Sequence, residues 1–321
     1  MPHSQPPAEL LDVIRRGRRF VVASHARPDG DAIGSAMAMA LAVRALGKQA
    51  AVVADGILPV FLQPFPDVAG IQVTTEVTET FDAALVMECS DLARTGVRGL
   101  ERSPVMNIDH HPGNQVYGTV NWIDESAAAC GEMAFTLIDA LDVPISQEIA
   151  THVYLAILTD TGSFHFSHLS PRTYEIARRC VEAGADPQWI ARTHYDSNSL
   201  ARVRIFGAVM NAMAVVDGRV ALLSITRRMM DETGGTSDDL EGLINFPLTV
   251  KDIEAVAFFK EVGDQDWRVS MRSKGNVDTG AIARQFSGGG HTNASGCSAK
   301  GDLDAVYQQF GQLLTEAISR K

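Results

Sequence analysis

Six separated segments of this chain carry side chains that bind metal ions or grip phosphate. They read SHARPDGD at 24–31, CSD at 89–91, DHH at 109–111 and TDTG at 159–162, then SMRS at 270–273 and GGGHTNASG at 288–296. The first four offer carboxylate and imidazole ligands for hard or borderline divalent cations. The last two offer a cation, hydroxyls and a glycine-rich backbone of the kind that approaches a phosphate. Taken singly, each has an ordinary explanation. An acidic turn is solvated, an Asp after a strand caps a helix, and a run of glycines makes a tight turn. Taken together, and in this order, they point to a two-metal phosphoesterase site. In such a site, cations about 3.5–4 Å apart activate a water and stabilise the attacking and leaving oxygens.

The elements between these segments decide where they fall. The run FVVASH (20–25) is β-branched and apolar, stops at His25 and predicts a buried strand. A helical pattern over 31–47 follows, closed by Gly47, a residue suited to a helix C-terminus. Apolar runs at 49–55, 83–91 and 104–111 repeat the strand pattern, and the last two end in metal-type residues. Strands alternating with helices predict an α/β domain with a mostly parallel sheet flanked by helices. Ligands of such sheets gather beyond the carboxyl ends of the strands. Helices are expected over 128–141, 146–159, 170–184 and 186–197, and a joining helix over 199–213. The second half predicts strands near 220–226, 254–262 and 267–273, a helix near 278–286 and a closing helix over 304–319. These give a smaller C-terminal α/β domain. The expected domains are 1–191 and 201–321 with a linker at 192–200, and the active site is expected in the cleft between them.

Composition narrows the class. The chain has 321 residues, 45% hydrophobic and 21% charged, with a net charge of −11. That acidic excess argues against a long non-specific nucleic-acid surface, which works by neutralising many phosphates. A short anionic substrate in a local basic pocket fits better. Residues 264–300 carry five Lys/Arg against three Asp/Glu, so the basic bias falls on the phosphate-type motif. No apolar run reaches membrane-spanning length, and the N-terminal segment lacks a signal-peptide core. A cytoplasmic location is the default. None of the four cysteines, Cys89, Cys130, Cys180 and Cys297, forms a CxxC pair, so reduced thiols are expected.

With these residues in place the chain resembles the DHH-family phosphoesterases, and within them the nanoRNase/pAp phosphatase (NrnA-type) branch. SHARPDGDAIGS, ECSD, NIDHHPGN, LTDTGSFHFS and GGGHTNASG carry the resemblance over nearly the whole chain. It implies two ions, usually Mn²⁺, with Mg²⁺ or Co²⁺ as alternatives. It implies that His25, Asp29 and Asp91 hold one ion and that Asp31, Asp91, His110 and Asp160 hold the other, Asp91 bridging. His111 is expected to face the substrate phosphate, and Asp109 to orient its neighbours. Ser270, Arg272, Ser273 and the GGGH loop, with Gly289, Gly290, His291 and Asn293, are expected to hold the substrate's terminal phosphate and first nucleotide. The implied substrates are short oligoribonucleotides, linear dinucleotides such as pApA and pGpG, and pAp. Neither long duplex nucleic acid nor membrane is an expected partner, and a homodimer is left open. Cleavage of cyclic dinucleotides and a non-catalytic nucleotide-binding regulator are the alternatives. His165 and His168 are read as surface or packing residues, as are His3, His152 and His194.

Overall fold

The computed structural model describes residues 4–165, 169–240, 242–275 and 277–319, with the backbone alone for Asp238 and His291. His3 and His168 lie outside the described residues. The chain divides into two units between Ser197 and Asn198.

The first unit is built on six strands: β1 (Arg19–Ala23), β2 (Gln49–Ala54), β3 (Gln72–Val73), β4 (Ala83–Met87), β5 (Val105–Asp109) and β6 (Val120–Ile123). They pair in the order β3-β2-β1-β4-β5-β6, and every pairing is parallel. Its helices are α1 (Ala8–Arg16), α2 (Gly30–Ala45), α3 (Cys130–Ala140), α4 (Gln147–Asp160), α5 (Pro171–Glu182) and α6 (Pro187–Tyr195). Alternation along each strand sorts side chains to two faces. Phe20, Val22, Leu85, Met87, Met106 and Ile108 pack with the helices. Val21, Ala23, Ala84, Val86 and Val105 pack instead with Val77, Val97, Leu100 and Tyr117 from the connecting segments.

Helix α2 is the organiser. Its sequence GDAIGSAMAMALAVRA is small and apolar on all sides, and 13 of its residues are buried. A Cβ at Gly30 would lie 2.5 Å from the Thr159 side chain, and one at Gly34 would lie 2.6 Å from the His152 carbonyl oxygen. Those two glycines let α2 press against α4, which brings Asp29 and Asp31 at the start of one helix to Asp160 at the end of the other.

The linker expected over 192–200 narrows to 196–199. Asp186 caps α6 by accepting from the amides of Gln188 and Trp189, and the helix runs on to Tyr195. Ser199 caps α7 (Leu200–Asn211) in the same way.

The second unit holds β7 (Ala214–Val216), β8 (Val220–Ile225), α8 (Arg227–Thr233), β9 (Ala255–Gly263), β10 (Asp266–Ser273), α9 (Thr279–Gln285), β11 (Gly289–His291), β12 (Ala294–Lys300) and α10 (Leu303–Ser319). Its sheet runs β11-β12-β10-β9-β8-β7. Only β8 and β9 pair in parallel. One face packs Trp267, Val269 and Met271 with α9 and α10. The other packs Ala221, Leu223, Val256 and Phe258 with Ile205 and Val209 of α7. No helix among the described residues is long and apolar enough to cross a membrane. All four cysteines are buried and unpaired.

Candidate metal centre

The carboxyl ends of β1, β4 and β5 deliver the site. His25 follows β1, Glu88 follows β4, Asp109 ends β5, and His110 and His111 come next. Three groups of donor atoms, each within 4.8 Å of one another, form there: His25, Asp29 and Glu88; Glu88, His110 and His111; and Asp31, His110 and Asp160. Glu88 and His110 each belong to two groups, so the three sets are continuous.

Each side chain is aimed by a backbone contact. His25 Nδ1 lies 3.0 Å from the Ala26 carbonyl, which leaves Nε2 to face Glu88 Oε2 at 2.9 Å and Asp29 Oδ1 at 3.9 Å. His110 Nδ1 lies 3.1 Å from the Ala127 carbonyl. Its Nε2 is 3.7 Å from Asp31 Oδ2, 3.7 Å from Glu88 Oε1 and 3.5 Å from Asp160 Oδ2. Such a contact on one ring nitrogen fixes which nitrogen is free to ligate. Asp31 is buried and accepts from the Cys130 and Gly131 amides at 2.7 and 2.9 Å, the first turn of α3. Gly131 is required there, since a Cβ would lie 2.4 Å from Ala156. Asp29 caps α2 through the Ala32 amide and keeps its carboxylate exposed.

Asp109 is fully buried and accepts from His111 Nδ1 at 2.9 Å, from the His110 amide at 2.9 Å and from Asn114 Nδ2 at 2.7 Å. Burial opposes its charge, but the His111 and Asn114 hydrogen bonds outweigh it and hold the carboxyl below its usual range. With Nδ1 committed, His111 presents Nε2, and its side chain is 39% exposed. Its pKa is raised, mainly by the hydrogen bond to Asp109.

The electrostatics call for positive charge. Burial would lower His25, but the adjacent Glu88 carboxylate carries it up to about 9. His110 is likewise lifted against burial to about 10 by Glu88, Asp31 and Asp160. Glu88, though buried, is held down at about 2 by His110 and His25. Asp31 and Asp160 are raised, first by burial. The buried atoms His110 Nε2 and Glu88 Oε2 make no well-formed hydrogen bond and face only the imidazoles and carboxylates of the site. Buried polar atoms left without good hydrogen bonds cost free energy, and these two converge on one space lined by imidazole and carboxylate. The donor set therefore fits divalent cations.

Asp91 was expected to bridge the ions, and the structure places it elsewhere. Its Oδ1 caps a short turn by accepting from the Ala93 amide at 3.0 Å, and Oδ2 accepts from Gln115 at 3.3 Å. It belongs to none of the three groups. Glu88 occupies the shared position, three residues earlier and next to the strand. Its φ of 55° is left-handed, an uncommon conformation for a non-glycine residue. Arg27, Ser163 and Phe164 share that feature within the same loops, as strain at functional sites does. His165 is exposed beside them. His152 is buried, with Nε2 on the Pro66 carbonyl at 2.8 Å, and burial lowers its pKa to about 4. His194 packs edge-on against Phe61. Both are packing residues.

In the second unit the GGGH segment is a β-hairpin, with β11 antiparallel to β12. Of its three glycines only Gly290 has positive φ, 137°. Gly288 and Gly290 are demanded by close backbone: a Cβ would meet the Gly296 oxygen at 2.2 Å or the Ala294 oxygen at 2.5 Å. Asn293 donates to Ser273 Oγ at 2.9 Å and to the Gly275 carbonyl at 2.8 Å, and Ser273 donates to the Val277 carbonyl at 2.7 Å. Both are engaged internally. Ser270 and Arg272 share a face of β10 with Arg268, opposite the core residues Val269 and Met271. Arg272 donates to the Met271 carbonyl at 2.9 Å. A cavity of about 430 Å³ opens beside Arg268, Ser270, Ser287, Gly296 and Ser298. Arg268 was not singled out from sequence. Its two-residue spacing from Ser270 and Arg272 was the available signal.

The model of the DHH family N-terminal domain matches residues 19–157, and that of the DHHA1 domain matches 217–320. The chain belongs to the DHH family. It is 33% identical over 317 residues to the bifunctional oligoribonuclease and PAP phosphatase NrnA of Thermus thermophilus, covering 98% of this chain and 94% of the relative. It is 29% identical over 298 residues to the Bacillus subtilis protein of the same name, covering 90% and 92%. Among solved structures, an exopolyphosphatase-related protein from Bacteroides fragilis superposes with a TM-score of 0.83 at 26% identity, covering 96% of this chain and 95% of that one.

Proposed function

We propose that this DHH-family protein is a divalent-cation-dependent phosphoesterase that degrades short oligoribonucleotides to mononucleotides and removes the 3′-phosphate of pAp, with manganese as its ion. The observation that carries the reading is the Glu88 carboxylate, shared between the His25 group and the His110 group. The Thermus and Bacillus relatives, each a bifunctional oligoribonuclease and PAP phosphatase, support it. His25, Asp29 and Glu88 would hold one cation, and Asp31, Glu88, His110 and Asp160 the other. Cations there would activate a water and offset charge on the phosphoryl oxygens.

The protein's own groups do the rest. Asp109 fixes the His111 ring, so Nε2 can donate to a non-bridging phosphoryl oxygen as charge builds on it. Asp31, locked by two α3 amides, keeps its position without a rearrangement. Arg272 and Ser270 hold a phosphate of the substrate, with guanidinium geometry suited to it. The buried ligand atoms of Glu88 and His110, left without well-formed hydrogen bonds, argue against a purely regulatory role, because a site kept only for nucleotide binding has no use for them.

The test is turnover of pAp and of two- to five-residue oligoribonucleotides by the purified protein with Mn²⁺, with products separated by chromatography. Manganese-dependent release of mononucleotides and phosphate is expected. Failure to hydrolyse any of these with Mn²⁺, Mg²⁺ or Co²⁺ would reject the reading.

A further inference from the structure

The amino-terminal edge of the parallel sheet carries a feature that the metal centre does not use. A cavity of about 730 Å³ opens there, lined by Arg15, Arg16, Arg18, Arg19 and Lys48, and no acidic residue among the described ones lines it. Five of the chain's 28 Lys+Arg are thus gathered around one depression in a protein of net charge −11. Arg19 begins β1 and pairs in register with Gln49 at the start of β2. The metal-type cluster lies past the other ends of the same strands. At ~3.3 Å per residue, His25 is roughly 20 Å from Arg19.

The arginines are available. The Arg18 side chain makes no hydrogen bond or close ion pair among the described residues, and its backbone amide and that of Arg19 are taken by Asp82 at 2.6 and 2.9 Å. Arg15 donates only to the Ala140 carbonyl, at 3.1 Å. Arg16 pairs with Asp12 at 3.4 Å across solvent. Arg19 pairs with exposed Glu79 and lies over the Phe81 ring at 5.2 Å. Exposed pairs of this kind contribute little, so a stronger anion can compete for them. Lys48 has a different task. Its ammonium donates to the carbonyls of Ile14, Arg15 at 2.6 Å and Gly17 at 2.7 Å. It thereby neutralises the negative end of α1 that would otherwise face the cavity.

We propose that this cavity is a second anion site, separate from the metal centre, that takes a compact polyphosphate, either free or as the tail of a nucleoside di- or triphosphate. Guanidinium forks match phosphate oxygens two at a time. The open depression is wide enough to seat a phosphate chain against several guanidinium groups at once. A long polyanion is disfavoured, because the rest of the chain is strongly acidic and would repel it.

Calorimetric titration of the full chain, in chelator and without divalent cations, tests this with inorganic tripolyphosphate and with ATP. Saturable binding that weakens with added salt is expected for both. Equal affinities assign the ligand to the phosphate chain, and tighter ATP binding assigns it to a nucleotide. The Arg15→Ala/Arg18→Ala variant should bind roughly 100-fold more weakly while hydrolysing pAp like the unaltered protein. Arg18→Glu, on an exposed side chain, should abolish binding with an unchanged circular dichroism spectrum. His110→Ala should bind as before. The proposal is overturned if neither anion binds, if both arginine variants bind normally, or if His110→Ala alone loses binding.

Discussion

The two regions assigned to phosphate chemistry are organised in opposite ways. At the strand ends of the first unit, aiming contacts fall on the backs of the side chains: carbonyls hold His25 and His110 by Nδ1, and α3 amides hold Asp31. The ligand atoms are left facing one another, two of them buried without a well-formed hydrogen bond. In the second unit, Asn293 and Ser273 spend their polar atoms on the hairpin itself, and two of three motif glycines serve strand packing. A motif residue is a strong functional candidate when its functional atom is left over after the fold has been satisfied. By that criterion Glu88, His110 and His111 qualify, as do Arg272, Ser270 and Arg268, whereas Asp91 and Asn293 do not.

The largest effect should separate Glu88 from Asp91. Glu88→Gln keeps shape and removes the shared charge. Turnover should fall by more than about 100-fold, beyond what outer contacts of metal ligands usually cost. Asp91→Asn, which retains the capping oxygen, should stay close to the unaltered enzyme. The reverse pattern in steady-state rates would restore Asp91 to the shared position.

Cation binding should depend steeply on pH. His25 and His110, raised to about 9 and about 10, carry protons at neutral pH, and only neutral imidazole ligates. Binding must therefore expel protons. Affinity should rise with pH by about tenfold per unit for each proton displaced, and the His25 share of that slope should end near pH 9. Titration calorimetry in buffers of different ionisation heat counts the protons. None released at neutral pH would contradict the assigned electrostatics.

Asp109→Asn sharpens the same side of the comparison. It keeps the acceptor for His111 but loses the charge that raises the imidazole. We expect kcat to fall about 10- to 100-fold, the usual cost of an orienting partner, with manganese content nearly unchanged. Elemental analysis showing lost metal would make Asp109 a determinant of the ion site. In the second unit, Arg272→Ala should lower kcat/KM by about 10- to 100-fold for a substrate with a terminal phosphate. The loss should be smaller for a chromogenic phosphodiester that lacks one. Equal losses would move Arg272 from phosphate binding to folding.

Much of this was legible in the residues, for physical reasons. The runs ending at His25 and in Asp109–His111 are apolar until the chain leaves the sheet, so hydrophobicity alone marks where the ligands stand. The helical spacing over 31–47 marks α2, whereas its nearly complete burial shows only in the packing. The apolar pattern over 83–91 outlasts β4 by four residues and so conceals Glu88, which lies just past the strand end. Met87 ends β4, and Glu88 turns out of it with left-handed φ, which no apolar pattern records. Glutamate beside a cysteine and ahead of an obvious Ser-Asp pair gives no signal of burial. Strand β6, with intermediate burial at three of four positions, was too short and polar to see. The hairpin of β11 and β12 was hidden because glycine, small residues and Asn read as a loop when pairing cannot be observed.

The smallest effect tests the hairpin. Asn293 was expected to touch substrate, yet its amide bridges Ser273 and the Gly275 carbonyl across the turn. If that is its role, Asn293→Ala should act on stability. Two net hydrogen bonds at about 0.5–1.5 kcal/mol each give ~1–3 kcal/mol, measurable as a lowered denaturant midpoint with an unchanged slope. Below the unfolding transition KM should hold, because the proposed phosphate contacts belong to the Arg272 and Ser270 face of β10. Ser273→Ala should cost a similar amount, and the double variant should cost less than the sum, since each removes the partner of the other. A raised KM at full stability would instead show Asn293 reaching the ligand, and the distinction between spent and unspent polar atoms would fail in the very motif that suggested it.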